Sequence, residues 1–513
     1  MKKISIKKVL KLLLHRVVLV ALFIVVQVAV LCYAILYLRN FAYFYAACVV
    51  LSLLVVLYII NGKSNPSYKI AWIVPITLLP VFGGLFYLLF GGNKLSNRER
   101  RKMKRMEKQL SGYLNRNSSG ELLKQLEQKD IDAYRQSNYI QNYAYCPAYR
   151  NSDALYLPSG ELKFEHLKEE LRKAERFIFM EYFIIEEGVM WNSVLEILKE
   201  KVKQGVDVRV MYDDMGCIMT LPYHYNRKLE EMGIRCCVFN PFIPVVSSRF
   251  NNRDHRKIVV IDGNTAFTGG INLADEYINA RVKHGHWKDT AIMVKGEAVW
   301  SFTVMFLTMW NYIRETDEDY TKFKPTVWRP SDGYIQPFTD SPLDGEPTGE
   351  TVYMNLINKA KRYIYINTPY LIIDNEMVTA LVNAAKSGID VRIVTPHVPD
   401  KWYVHTVTRA YYEVLLESGV KIYEYTPGFI HAKTFLVDDQ YGVVGSINLD
   451  YRSLYLHFEC AVWMYQTKCL AQMKEDYFKT LEVCQLIALE EVQNTPLFRR
   501  LARSLLRVFA PLM

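Results

Sequence analysis

The stretch Asn252-Arg253-Asp254-His255-Arg256-Lys257-Ile258-Val259-Val260-Ile261-Asp262, running on to Gly269-Gly270-Ile271-Asn272, decides the reading of this chain. It is written again as Ile430-His431-Ala432-Lys433-Thr434-Phe435-Leu436-Val437-Asp438 and Gly445-Ser446-Ile447-Asn448. Both copies read H-x-K-x4-D-x6-G-[GS]-x-N. The apolar run after each lysine predicts a buried strand. Side chains two apart on a strand share a face, so each His-Lys pair points toward one site. A lysine and an asparagine suit the oxygens of an anionic phosphate and leave imidazole free for bond making. A lone H-x-K is more often a structural histidine at a strand end. Two full copies with identical internal spacing argue for function.

Working outward, more of the chain is duplicated. Lys173-Ala174-Glu175-Arg176-Phe177-Ile178-Phe179 returns as Lys359-Ala360-Lys361-Arg362-Tyr363-Ile364-Tyr365. Gly205-Val206-Asp207-Val208-Arg209-Val210 returns as Gly388-Ile389-Asp390-Val391-Arg392-Ile393. Between the members of each set lie helical patterns, so strands alternate with helices and parallel pairing is expected. The fold class is α/β: two tandem α/β domains, residues 131–330 and 331–490, related by a pseudo-twofold axis. Each gives one His-Lys-Asn set to a shared centre. The Pro- and Asp-rich stretch from Thr316 to Gly349 is the joint.

The ends of the chain are different in kind. Residues 1–92 predict a membrane region. Val17 to Leu38 is apolar apart from Gln27, and Phe41 to Ile60 is a second uncharged run. These predict spans over about 17–38 and 41–60; the first is too long for a signal-peptide core and is followed at once by the second. A third apolar segment, 70–90, is broken by Pro75, Pro80, Gly83 and Gly84 and reads as re-entrant or interfacial. Residues 93–130 read as a basic linker helix. The basic N-terminus and the basic run Lys94 to Arg105 place the catalytic part on the cytoplasmic side of a multi-pass cell-membrane protein. The alternative for that run is a solvated helix face. Residues 495–513 form an amphipathic helix, with Leu497, Leu501, Leu505, Val508 and Leu512 on one face and Arg499, Arg500, Arg503 and Arg507 on the other. It reads either as interfacial or as docked on the protein itself. The net charge of +10 fits anionic lipid or nucleic acid, and its concentration near the membrane-proximal ends favours lipid. Nine cysteines include no C-x-x-C, so neither a zinc site nor a redox motif is expected.

Exchanging a phosphodiester needs a nucleophile, a proton for the leaving oxygen, and cover for the non-bridging oxygens. His255 and His431 can divide the first two tasks. Lys257, Lys433, Asn272 and Asn448 are the expected phosphate-binding groups. No metal and no cofactor is called for. Each histidine needs its other ring nitrogen held, and Asp289 and Glu459, downstream of the two motifs, are the candidates; the alternative for each is a surface carboxylate. The spacing does not put Asp262 and Asp438 on the His-Lys face, so structural hydrogen bonding is expected of them.

These paired motifs resemble the HKD motif of the phospholipase D superfamily. That resemblance implies two tandem phospholipase D-like domains and counts His255, Lys257, Asp262, His431, Lys433 and Asp438 as the catalytic set. Within the superfamily the chain is similar to bacterial cardiolipin synthases. The similarity is carried by Lys69-x-Ala71-Trp72, Pro80-x-x-Gly83, Tyr87-Leu88-Leu89-Phe90-Gly91, Asn252-x-x-His255-Arg256-Lys257, Thr368-Pro369-Tyr370 and Asn448-Leu449-Asp450-x-Arg452-Ser453. Two positions depart from the usual pattern: His457 and Asp254 both stand where Asn is common. The resemblance implies transfer of a phosphatidyl group from one phosphatidylglycerol to another, giving cardiolipin and glycerol, with His255 as nucleophile and His431 as acid/base. The partners it implies are phosphatidylglycerol and anionic membrane lipids, not nucleic acid. A hydrolytic phospholipase D, another phosphatidyltransferase, a nuclease and a non-catalytic membrane scaffold are the competing readings.

Overall fold

The computed structural model describes residues 25, 29, 32–33, 41–80, 83–84, 87–88, 91, 97–114, 119–242, 251–331 and 333–512. The chain divides into two compact units: residues 1–94 with 240–251, and a larger unit holding nearly all the rest. The expected span over 17–38 lies almost wholly outside the described residues.

In the smaller unit, Phe41–Asn61 is a helix of 21 residues without a charge. At about 1.5 Å per residue it is roughly 30 Å long, the thickness of a bilayer core. Its Tyr43–Asn61 portion is, among the described residues, the one helix long and apolar enough to cross a membrane. The next helix, Pro66–Leu78, starts with proline at its first position and an Asn65 side chain that accepts from Ser67 N. Its 13 residues, about 20 Å, are too few to span. Beyond Pro80 the chain folds back: a Cβ on Gly83 would lie 2.4 Å from Ile76 Cα. Ser52 Oγ donates to the Pro80 carbonyl at 2.7 Å and ties this bend to the long helix.

The larger unit is built on two sheets with one strand order. The first runs Ser152–Leu157, Ala291–Gly296, Thr265–Gly269, Ile258–Ile261, Phe177–Tyr182, Asp207–Asp213, Arg235–Phe239. The second runs Tyr334–Asp340, His457–Tyr465, Tyr441–Gly445, Thr434–Val437, Tyr363–Asn367, Asp390–Pro396, Lys421–Tyr425, with Cys484–Leu486 added at its edge. The duplication read from sequence is therefore a duplication of sheets. Along these two orders, pairing is parallel only among the last three strands that both share. The strand after each motif lysine pairs antiparallel with both neighbours, which corrects the expectation of parallel pairing throughout. The reason lies in the connections. Helical crossovers join the parallel strands, whereas tight turns at Asp262-Gly263 and Asp438-Asp439 return the motif strands as hairpins. Gly205 and Gly388, at φ of +85° and +90°, end the crossover helices in the left-handed conformation that glycine adopts without strain.

The helix Val299–Arg314 is buried along its length from Val299 to Asn311 and packs under the first sheet. The basic helix Asn97–Leu114 lies against it. Trp300 Nε1 donates to the Tyr113 carbonyl at 3.1 Å, Arg105 pairs with Asp317 at 3.0 Å, and Lys102 pairs with Glu315. Part of the basic run is thus neutralised by the protein, while Arg100, Arg101, Lys104 and Lys108 stay exposed. The C-terminal helix Leu497–Val508 resolves its two readings in the same way. It docks on the helix Trp402–Ala410, with Arg500 on Glu413 at 2.7 Å and Arg507 over the Tyr411 ring. Leu497, Phe498, Leu501 and Leu505 remain exposed on it.

Candidate active site

Each motif histidine sits at a seam between the two sheets. Before His255, the short strand Arg253–Asp254 pairs in parallel with His457 and Phe458 of the second sheet. Before His431, Gly428–Ile430 pairs in parallel with His286–Lys288 of the first half. His255 N donates to the Phe458 carbonyl at 2.9 Å, and His431 N to the Lys288 carbonyl at 2.7 Å. After its lysine each chain re-enters its own sheet. The motif therefore crosses from one half to the other within a few residues, and does so reciprocally, as a twofold relation requires.

The crossing decides which carboxylate meets which imidazole. His255 Nδ1 lies 2.8 Å from Glu459 Oε1, and His431 Nδ1 lies 2.7 Å from Asp289 Oδ2. Each acid thus holds the histidine of the other motif, not the one it follows in sequence. All four side chains are buried. A ring packs on each imidazole: Phe183 on His255 at 5.1 Å and Trp287 on His431 at 5.5 Å between centroids.

The two pairs differ in the acid itself and in the motif residue that meets it. In the first motif Gly270 makes room for Asp289, since a Cβ there would lie 2.2 Å from its Oδ1. The second motif has Ser446, whose Oγ donates to Glu459 Oε2. Burial favours protonation of Glu459, but His255, His457 and Lys257 outweigh it and hold the carboxyl below its ordinary range. Burial pushes Asp289 up to about 7, against the pull of Lys433, the Thr290 N–H, Lys257 and Lys163. Burial takes His255 down to about 3 despite Glu459, and lowers His431 well below its ordinary value with help from Lys433, Lys257 and Lys401. These directions favour uncharged imidazoles and an ionised Glu459 at neutral pH, with Asp289 the acid more readily protonated.

The lysines are buried, and each donates to the carbonyl of its own histidine. Burial lowers Lys257 to about 8 and Lys433 to about 7. The asparagines differ from expectation. Asn272 is already engaged: Oδ1 accepts from Ile184 N at 3.0 Å and Nδ2 donates to Tyr277 Oη at 2.7 Å. Asn448 Oδ1 is buried without a hydrogen-bond partner among the described residues; as an acceptor it takes a donor, and it is the Nδ2 group of this amide that can donate to a phosphate oxygen. Asp262 and Asp438, counted with the catalytic set on resemblance, have their carboxylates on backbone instead. Asp262 accepts from the N–H groups of Glu175, Arg176 and Phe177, and Asp438 from those of Lys361, Arg362 and Tyr363. Their geometry makes them clasps between strands.

A chain of buried charges fixes the first motif. Arg256 pairs with Glu181 and, at 3.1 Å, with Asp254; Arg253 pairs with Asp213 at 3.3 Å, and Asp213 accepts from Asp254 N at 3.0 Å. Asp254, the departure from the usual Asn, supplies charge to this chain. Sequence reading missed Ser446, Tyr277, Phe183 and Trp287. Only Ser446 carried a signal, as the variable place in G-[GS].

Comparison with known proteins agrees with this construction. The family model described as "Cardiolipin synthase, PLD-like domain" matches residues 167–310 and 353–481, one match to each sheet. The model described as "Phospholipase_D-nuclease N-terminal" matches residues 50–92. A cardiolipin synthase of Halalkalibacterium halodurans is 34% identical over 88% of this chain and 90% of its own. One from Geobacillus kaustophilus is 34% identical over 91% and 93%. Among solved structures, phosphatidylserine synthase of Haemophilus influenzae superposes with a TM-score of 0.56 at 16% identity, covering 74% of this chain and 98% of that one; this is a likeness of fold.

Proposed function

The chain belongs to the cardiolipin synthase family of phospholipase D-like enzymes, and from that premise we propose that it joins two phosphatidylglycerols into cardiolipin and glycerol through a phosphohistidine intermediate. In this reading His255 Nε2 attacks phosphorus and the bond to the glycerol oxygen breaks, while His431 gives that oxygen its proton. The phosphatidyl group then rides on His255. His431 next takes the proton from the hydroxyl of a second phosphatidylglycerol, whose oxygen displaces His255. The roles are assigned by the acids behind the rings. An ionised Glu459 on Nδ1–H makes His255 the more electron-rich nucleophile; Asp289 lets the His431 pair store a proton. Lys257, Lys433 and Asn448 cover the non-bridging oxygens. Asp262 and Asp438 act by holding the motif strands, and no metal or cofactor takes part.

The observation that carries the proposal is the reciprocal pair of contacts, His255 to Glu459 at 2.8 Å and His431 to Asp289 at 2.7 Å, each made between halves. The site further belongs at a cytoplasmic membrane surface of a multi-pass protein. Supporting this are the apolar helix Phe41–Asn61, the fold-back after Pro80, which fits a re-entrant third segment, and the exposed leucines of the last helix. The test is full-length protein in vesicles of labelled phosphatidylglycerol. Equal amounts of cardiolipin and glycerol are expected; phosphatidic acid as sole lipid product would establish the hydrolytic reading instead.

A further inference from the structure

The two halves diverge at the residue two places before each carboxylate. Trp287 precedes Asp289, and His457 precedes Glu459. The two rings hold matching places, each 5.5 Å between centroids from its motif histidine. An indole cannot ligate a metal; an imidazole can. The His457 side chain is only 10% exposed, and its Nδ1 is buried with no hydrogen-bond partner among the described residues. That nitrogen lies 3.8 Å from Glu459 Oε1, the oxygen already 2.8 Å from His255 Nδ1. One ligand atom from each of the three residues falls within 4.8 Å of the others.

Tetrahedral zinc with bonds of about 2.1 Å holds its ligand atoms about 3.4 Å apart. To reach that geometry the 2.8 Å distance would open and the 3.8 Å distance close, each by about half an ångström, and the two imidazole nitrogens, within 4.8 Å of each other, would settle at the same spacing. Two neutral imidazoles and one carboxylate are the ligand chemistry of borderline divalent ions. Lys257 and Arg452 oppose a cation here, and Asp450 and Glu459 favour it.

We propose that His255, His457 and Glu459 form a site for a divalent transition ion of the zinc class, and that filling it stops phosphatidyl transfer. This rests on the reading of His255 as nucleophile. Binding at Nδ1 needs the lone pair there, so the ring proton moves from Nδ1 to Nε2. No net proton is released, nothing is oxidised, and a water completes the coordination. The nitrogen that attacks phosphorus is then capped by a proton. Among the described residues the first half, with Trp287 in the matching place, has no equivalent site.

The experiment uses full-length protein in phosphatidylglycerol vesicles with buffered free Zn2+, protein-free vesicles serving as the blank for lipid-bound metal. Bound zinc per protein and cardiolipin formation are measured for wild type, His457→Asn and His457→Gln, each rate relative to that variant's own metal-free rate. One zinc per wild-type protein is expected. In both variants, zinc binding should be at least ~10-fold weaker and the inhibition midpoint shifted by the same factor. Equal binding and equal inhibition in wild type and variants would overturn the site. Zinc bound through His457 with undiminished transfer would overturn the inhibition. The nucleophile reading is judged apart, by metal-free His255→Ala.

Discussion

Asp438 offers a sharp separation of holding a strand from doing chemistry. It closes the strand Thr434–Val437 at φ +55° and receives three backbone N–H groups: Lys361 at 2.6 Å on Oδ2, Arg362 at 2.8 Å and Tyr363 at 2.9 Å on Oδ1. Asp438→Asn keeps an oxygen for Arg362 and Tyr363 but turns an amide toward the Lys361 N–H. One charge-assisted bond is lost and two are weakened, a cost of about 2–3 kcal/mol. Asp438→Ala strands all three donors at ~1–2 kcal/mol each, about 3–6 kcal/mol together. With unfolding entropy near 2.1 cal/mol/K per residue over about 400 residues, each kcal/mol lowers Tm by roughly 1.2 °C. The expected shifts are therefore about 3 °C for the amide and about 4–7 °C for alanine. The assay is thermal melting of purified protein in detergent, beside cardiolipin formation well below the transition. Folded Asp438→Asn should work within a few-fold of wild type. A variant that melts as wild type yet loses ~10²-fold in rate, the scale expected of an acid-base group, would refute the clasp and make Asp438 a catalytic group.

Three further outcomes follow from the same geometry. Turnover should survive excess EDTA, because the two-histidine exchange uses no metal; loss that one divalent ion restores would count against it. The kcat/KM profile should fall on the alkaline side as Lys433 and Lys257 lose their protons near their depressed values of about 7 and 8, since only the charged lysine covers phosphate oxygens; a profile flat to pH ~9 would mean that neither lysine does so. Ser387 is exposed at the end of the helix Asn375–Lys386. As Ser387→Cys in a cysteine-free background it should resist impermeant thiol reagents in intact cells and react after lysis, and labelling of intact cells would place the catalytic unit outside.

Much of this was legible in the sequence because duplication leaves a pattern that survives divergence. The matching segments at Lys173 and Lys359, and at Gly205 and Gly388, marked two copies of one sheet. The two H-x-K motifs marked one site between them. What the sequence did not carry was the crossing. Asp289 and Glu459 stood out as partners for the histidines, but the short strands that swap them between halves are two and three residues long, too brief for periodicity to register. The engagement of Asn272 was equally hidden, since its partners are a backbone N–H and the Tyr277 hydroxyl. Strand direction was misread because alternating helices suggest parallel pairing and say nothing of the hairpins at Asp262 and Asp438. The terminal helices were read as alternatives that the structure combines: each uses some of its arginines or lysines on the protein and leaves another face free.

The central claim is that one histidine from each half is needed for a single transfer site. Its most direct test is cardiolipin formation from labelled phosphatidylglycerol by His255→Ala and His431→Ala, purified and assayed separately, with melting temperatures confirming that both are folded. Each should lose at least ~10²-fold in turnover, because attack on phosphorus and proton transfer are both required in every cycle. Near wild-type cardiolipin formation by either variant would contradict the shared site.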